Sequence, residues 1–474
     1  MSVPAPVPRL SREVRTTAKL AAPLVAGHVA TGLISFVDSV IAGRHSTQTL
    51  ASVAVGTALF WLPVVVPMGT LMAVPPAVSQ LDGAGRRGEI GAVFRQALWL
   101  SVALGAVLFA FLTFVVHALE PMGIAAPIIP GATAFLHGIR WGVPALTLFF
   151  CMRYLAEGLH WTVPTMALSA MGLTVLVPLG YVLTFGRLGF PELGAGGLGL
   201  ASASVMWLQA LGFVVVLARS RRFADLRLFE RFDAPRWPVI ASLLGTGLPI
   251  GVTVLMEGSL FIVTALLIGR LGDVPAAAHQ IAINVASLAF MIPMGLAEAT
   301  TVRVGHAFGR RDFAGVRRAA VAGITIAFAT QLLSGSLLLF GNEYVVGFYT
   351  QDAAVASLAA ALLLYAAAFQ FPDGLQVLSA GALRGLRDTR VPMLLAGVAY
   401  WGVGLPIGTG LGLWLGWGPR GMWLGLIAGL SVAAVLLGTR LWRETAPARL
   451  ARRAGPVQAD EPLPVAHATV TNGG

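Results

Sequence analysis

Charged residues make up only 11% of the 474-residue chain, and cysteine occurs once, as Cys151. The first scarcity excludes an ordinary soluble domain, in which about a quarter of residues carry charge. The second excludes a disulfide framework and any cysteine-based metal site. Nucleotide-binding and catalytic signatures are also missing. No GxxxxGK[ST] phosphate loop, no HExxH and no aspartate-rich DDxxD cluster occurs. GAGGLG at 194–199 spells GxGxxG, but it opens an apolar helix with no strand before it, so it does not read as a dinucleotide site. These absences argue against an enzyme, and no cofactor is expected. The net charge of +11 has no basic domain behind it, so nucleic acid is not an expected partner.

What the chain does have is apolar sequence, at 57% of residues. The solvent to reason with is therefore lipid. The N-terminal stretch MSVPAPVPRLSREVRTTAK has no apolar core followed by a cleavage site, so the first apolar segment is expected to stay as a membrane helix. Stretches long enough to span fall at roughly 18–43, 50–80, 92–118, 130–157, 162–186, 195–219, 238–270, 276–302, 315–341, 353–383, 391–414 and 421–442. If these twelve alternate in direction, 27 of the 32 Lys and Arg residues fall on the side of the N-terminus. That bias predicts cytoplasmic termini.

The chain repeats itself. IAGR at 41–44 and LIGR at 267–270 lie 226 positions apart, as do the two PMG motifs at 67–69 and 293–295. The offset covers six helices, an even number, so both halves share one topology. The expected fold is all-α and membrane-integral, with twelve helices in two six-helix lobes related by a pseudo-twofold axis along the membrane normal. The expected parts are a cytoplasmic tail (1–17), an N-lobe (18–219), a basic linker (220–237), a C-lobe (238–443) and a disordered tail (444–474). Two lobes around a cleft suit alternating access.

Three acids lie well inside helices: Asp38, Glu257 and Asp373. Helix rise places Glu257 roughly 20 Å from Arg270 and Asp373 roughly 16 Å from Arg384, both near the bilayer midplane. Asp38 lies about 9 Å below the opposite surface. No Lys or Arg is expected at midplane depth, so Glu257 and Asp373 must take a proton or bind a cation. A protonated acid bonded to backbone freed by Pro372 is the structural alternative. Glu298 is a borderline fourth, five residues before Arg303, and is expected to snorkel or pair there. Met256, Phe290, Phe369, Met291 and Phe371 are candidate walls for a flat cation, or plain packing. Gly404, Gly408 and Gly412, with Gly421, Gly425 and Gly429, suit close helix packing. His279 and Gln280 read as interfacial polar residues.

Taken together, FVDSVIAG (36–43), VSQLDGAGRRGEI (78–90), PELGAGGLGLASA (191–203), AAAHQIAIN (276–284), PMGLAEATTVRVGHAFG (293–309) and GALRGLRDT (381–389) resemble the multidrug and toxic compound extrusion (MATE) family, in its NorM-like bacterial branch. The resemblance covers nearly everything but the tails. It implies a multidrug antiporter of the bacterial inner membrane, working as a monomer and exporting small organic cations in exchange for Na⁺ or H⁺. It also implies that Glu257 and Asp373 bind the coupling ion and that Asp38 is the matching acid of the first helix. The family often carries asparagines where this chain has Leu176 and Gly180, and a tyrosine where it has Phe369. The lost hydroxyl removes one Na⁺ ligand and leaves H⁺ open. A lipid-precursor flippase of the same superfamily is the rival. It would need cationic groups in the cleft, which the spans are expected to lack.

Overall fold

The structure, a computed structural model, describes residues 10–230 and 233–455. Among them, twelve helices are long and apolar enough to cross a membrane. They are α1 (Leu10–His45), α2 (Thr47–Gly83), α3 (Arg87–Ala118), α4 (Ile129–Gly158), α5 (Val163–Phe185), α6 (Gly194–Arg219), α7 (Trp237–Gly269), α8 (Asp273–Gly309), α9 (Phe313–Gly347), α10 (Ala353–Gly385), α11 (Arg390–Trp414) and α12 (Pro419–Glu444). Each expected span matches one of them: ten lie wholly inside, 162–186 overruns both helix ends by a single residue, and 238–270 overruns one. Proline shapes several. α2 breaks at Met72 and Ala73 ahead of Pro75 and Pro76, and α11 widens into π-helical turns on both sides of Pro406.

Helices α1–α6 surround one apolar core, in which Phe94, Phe135, Phe213 and Tyr154 are buried. Helices α7–α12 surround another, around Trp423 and Tyr400. The glycine repeats of α11 and α12 meet face to face. A Cβ on Gly425 would lie 2.3 Å from the Gly408 Cα, so the two backbones touch where side chains would otherwise hold them apart. Outward, Val107, Leu333 and Phe340 are more than two-thirds exposed, the surface expected of helices solvated by lipid.

The lobes meet toward one end. A Cβ on Gly69 of α2 would lie 2.4 Å from the Gly251 Cα of α7. Farther down, the Gln80 amide donates to the Gly385 carbonyl at 2.8 Å, and Arg303 grips Glu13 through two hydrogen bonds. This is the arginine-rich end, where α1 starts and α12 stops.

Two expected boundaries change. The first helix begins at Leu10, inside the expected tail, because Glu13 is anchored by Arg303 across the lobes. The expected disordered tail starts with a short helix, α13 (Pro447–Ala454), held by buried Leu450 and by Arg449 and Arg453 on Glu444. The remainder, 456–474, lies outside the described residues, as do residues 1–9 of the amino-terminal tail. The linker is packed down as well: Phe223 and Leu226 join the N-lobe core, and Asp233 pairs with Arg95 at 2.6 Å.

Candidate functional site

A cavity of about 480 Å³ lies between the lobes, lined by residues of α1, α2, α4–α8 and α10. Asp38 is on its N-lobe wall. One carboxylate oxygen accepts a long 3.4 Å hydrogen bond from the Ser202 hydroxyl of α6; the other is buried without a partner. Glu257 is on the C-lobe wall.

Asp373 does not line the cavity. It sits behind Glu257, 4% exposed. The side chain that joins them is Gln376, one turn beyond Asp373 on α10. Its amide nitrogen donates to Glu257 Oε1 at 2.9 Å and to Asp373 Oδ1 at 3.4 Å, and its own oxygen accepts from the Tyr400 hydroxyl of α11 at 2.9 Å. The hydrogen bond Asp373 makes is thus to a side-chain amide, rather than to backbone near Pro372. Gln376 and Tyr400 add polar groups behind the acids, with the Gln376 nitrogen turned to the carboxylates and its oxygen to the Tyr400 hydroxyl.

The floor of the cavity overturns a second expectation. Arg153 and Arg384 both line it. Arg153, on α4, reaches Glu157 at 2.6 Å and Glu298 at 3.2 Å, and His28 of α1 reaches Glu298 at 2.9 Å. All four are less than a tenth exposed. Glu298 therefore pairs inward across the lobes, while Arg303 is taken by Glu13. Alternation of the helices groups Arg153 with the arginines on the side of the N-terminus. It nevertheless faces inward, because the turn after α4 is packed under other elements, with Leu159 at 3% and Thr162 at 4% exposed. The Arg384 guanidinium touches the Met72 sulfur at 3.6 Å, and its Nε is buried without a partner.

Of the apolar candidates, Phe290 and Met291 line the cavity. Phe369 and Met256 do not. Phe369 lies one turn before Asp373 and faces the C-lobe interior with it, edge-on to Phe261 and Trp423 at 5.9 Å each. Met256, one residue round the helix from Glu257, packs under Gly397 of α11. Phe371 packs against Phe328 with the rings tilted at 57°, away from the cavity. His279 is buried rather than interfacial, accepting from the Trp423 indole at 3.2 Å, whereas Gln280 is exposed. Among the described residues, no cluster of three or more His, Cys, Asp or Glu side chains is arranged to hold a metal.

The chain compares closely with known proteins. A family model described as MatE matches residues 23–182 and again 249–409; the two matches start 226 residues apart, the spacing of the internal repeat. A probable multidrug resistance protein NorM from Xanthomonas campestris pv. campestris is 65% identical over 94% of this chain and 97% of its own length. Multidrug resistance protein PmpM from Pseudomonas aeruginosa is 41% identical over 92% of each chain. A crystal structure of MATE in the bent conformation superposes with a TM-score of 0.85 at 18% identity, covering 95% of this chain and all of that one. The twelve-helix fold, the doubled family match and full-length relatives at this identity place the chain in the MATE family, within its NorM-like bacterial branch.

Proposed function

We propose that this protein exports organic cations from the bacterial cytoplasm in exchange for Na⁺ or H⁺, by alternating access. The relatives' names, which speak of multidrug resistance, support the cargo class. The observation that carries the coupling is the Glu257–Gln376–Asp373 bridge. Two buried carboxylates lean on one amide, which offers each a single N–H. Such a pair is stable only with a proton or cation added. Glu257 opens onto the cavity and Asp373 lies behind it, so an ion bound between them competes with an organic cation resting on Glu257.

The arginine-rich end faces the cytoplasm by the positive-inside rule. With the lobes closed there, the cavity addresses the other side. A coupling ion arriving from that side displaces the cargo outward, and the neutralised site allows return. Each ligand biases the two states differently, and that makes the exchange obligatory. One charge moved across 100 mV supplies about 2.3 kcal/mol, enough for roughly fifty-fold accumulation. Phe290 and Met291 offer an aromatic and a soft surface to a flat cation.

The flippase reading gains one observation, the unpaired Nε of Arg384 at the cavity floor. It is the weaker reading, because Glu157 and Glu298 match the two arginines charge for charge. Ethidium efflux from energised cells, with Na⁺ and H⁺ gradients imposed separately, tests the choice. Efflux driven by one gradient and abolished by Asp373→Asn supports antiport and names the ion. No efflux under either gradient, with folded protein in the membrane, would favour the flippase.

A further inference from the structure

One turn before Asp373, α9 grips α10. The Gln331 amide of α9 donates to the Gln370 backbone carbonyl at 2.5 Å, and the Ser334 hydroxyl donates to the Gln370 side-chain oxygen. Gln331, Gln370 and Asp373 are each 4% exposed. The Gln370 side-chain nitrogen is buried without a partner, a cost that the two contacts to its oxygens must offset.

The grip falls where α10 is weakest. Pro372 has no N–H, so the Ala368 carbonyl, four residues back, loses its donor within the helix. A helix interrupted in this way bends unless something outside it fixes its course. Gly374 makes the outside contact possible. A Cβ there would lie 1.8 Å from the Gln331 amide nitrogen, so any larger residue at 374 would push Gln331 off α10. A separate void of about 390 Å³ lies beside the grip, between α9, α10 and α12. Pro372 and Gly374 line it together with Gln331, so α10 has room to shift once Gln331 lets go.

We propose that Gln331 is a positioning residue for the coupling-ion pair. By holding the Gln370 carbonyl it sets the course of α10 past Pro372, and with it the reach of Asp373 and Gln376 toward Glu257. This role presupposes the reading of Glu257 and Asp373 as the acids that bind the coupling ion. Gln331 acts through the turn of α10 that carries Asp373.

The test is ethidium efflux from energised cells, followed against the external concentration of whichever ion, Na⁺ or H⁺, drives the wild type. Gln331→Met keeps the length of the side chain and removes its N–H. It should raise the half-saturating ion concentration about fivefold or more. Maximal efflux and the half-saturating ethidium concentration should stay within about twofold of wild type. A residue that only packs would lower the amount of folded protein or the maximal rate and leave the ion dependence in place. Gly374→Ala, which displaces the same amide, should shift the ion dependence in the same direction. The double variant Gln331→Met/Gly374→Ala should shift it no further than the larger single effect, because both changes remove one contact. Unmoved ion dependence in Gln331→Met would overturn the proposal, and so would additive shifts in the double variant. If Gly374→Ala yields no folded protein, Gln331→Met decides alone. Asp373→Asn separates the two readings. Should it transport like wild type, the coupling assignment fails and the positioning role with it. Should it abolish efflux while Gln331→Met overlays the wild type, only the positioning role fails.

Discussion

Arg153 of α4 and Glu298 of α8 meet at 3.2 Å across the boundary between the lobes. The contact is buried, and both partners have a second neighbour, Glu157 for the arginine and His28 for the glutamate. Removing one member leaves charge stranded away from water, which typically costs about 3–5 kcal/mol. Arg153→Met should therefore lower the melting temperature sharply. The triple variant Arg153→Met/Glu157→Gln/Glu298→Leu, which leaves no carboxylate stranded, should recover a good part of the loss. If both variants melt like wild type, the contact carries no stability.

Gln376 has a more specific task. In Gln376→Leu, Glu257 and Asp373 lose their common donor and Tyr400 loses its acceptor. An unmade buried hydrogen bond costs about 1–3 kcal/mol, so the coupling-ion dependence of efflux should shift by about tenfold. The total amount of folded protein should change little. A variant whose ion dependence overlays the wild type would show that the bridge is only packing.

Gly69 and Gly251 let α2 and α7 touch. Gly69→Val puts methyl groups where the α7 backbone lies, and the cheapest relief is to separate the lobes at the arginine-rich end. Because Cys151 is buried, a single introduced cysteine gives a clean readout. Labelling of a cysteine placed at Ala77, buried on α2 near the contact between the lobes, should speed up several-fold in Gly69→Val. Unchanged labelling would mean that the helices repack without parting.

His160 lies in the turn between α4 and α5. Its Nε2 is buried without a partner. Burial first, then His306, Arg303 and Arg222, pushes its pKa from 6.5 down to about 3. Below pH 6.5 the unfolded chain takes up a proton that the folded chain refuses. Stability from this group is therefore intact above pH 6.5 and is lost as pH falls from there toward about 3. Between pH 7.5 and 4.5, the melting temperature of wild type should fall further than that of His160→Leu. Parallel falls would remove His160 from the acid response.

The sequence made the twelve helices legible because bilayer thickness imposes a length that chance rarely reproduces. Asp38, Glu257 and Asp373 were legible because a carboxylate in hydrocarbon demands a reason. Gln376 and Tyr400 carry no such flag. A neutral amide and a phenol inside a helix become informative only once α10 and α11 are known to lie beside α7. Arg153 carries a flag that misleads. Its place near the end of α4 groups it with the loop arginines, and only the packing of α4 against α8 shows that it meets Glu298 inside.

The repeat has one more consequence, visible in α1 and α7. Pro23 and Pro249 are 226 positions apart, as are IAGR and LIGR, so the two helices correspond residue for residue between these marks. Within that frame Asp38 corresponds to Thr264, and Glu257 corresponds to Thr31. One helix keeps its acid at the upper rung and a threonine at the lower; the other does the reverse. Seven residues, or about 10 Å of helix, separate the rungs. The two acids therefore enter the cavity at different depths, Asp38 from the N-lobe wall and Glu257 from the C-lobe wall, so the duplicated helices present unlike surfaces at each level of it.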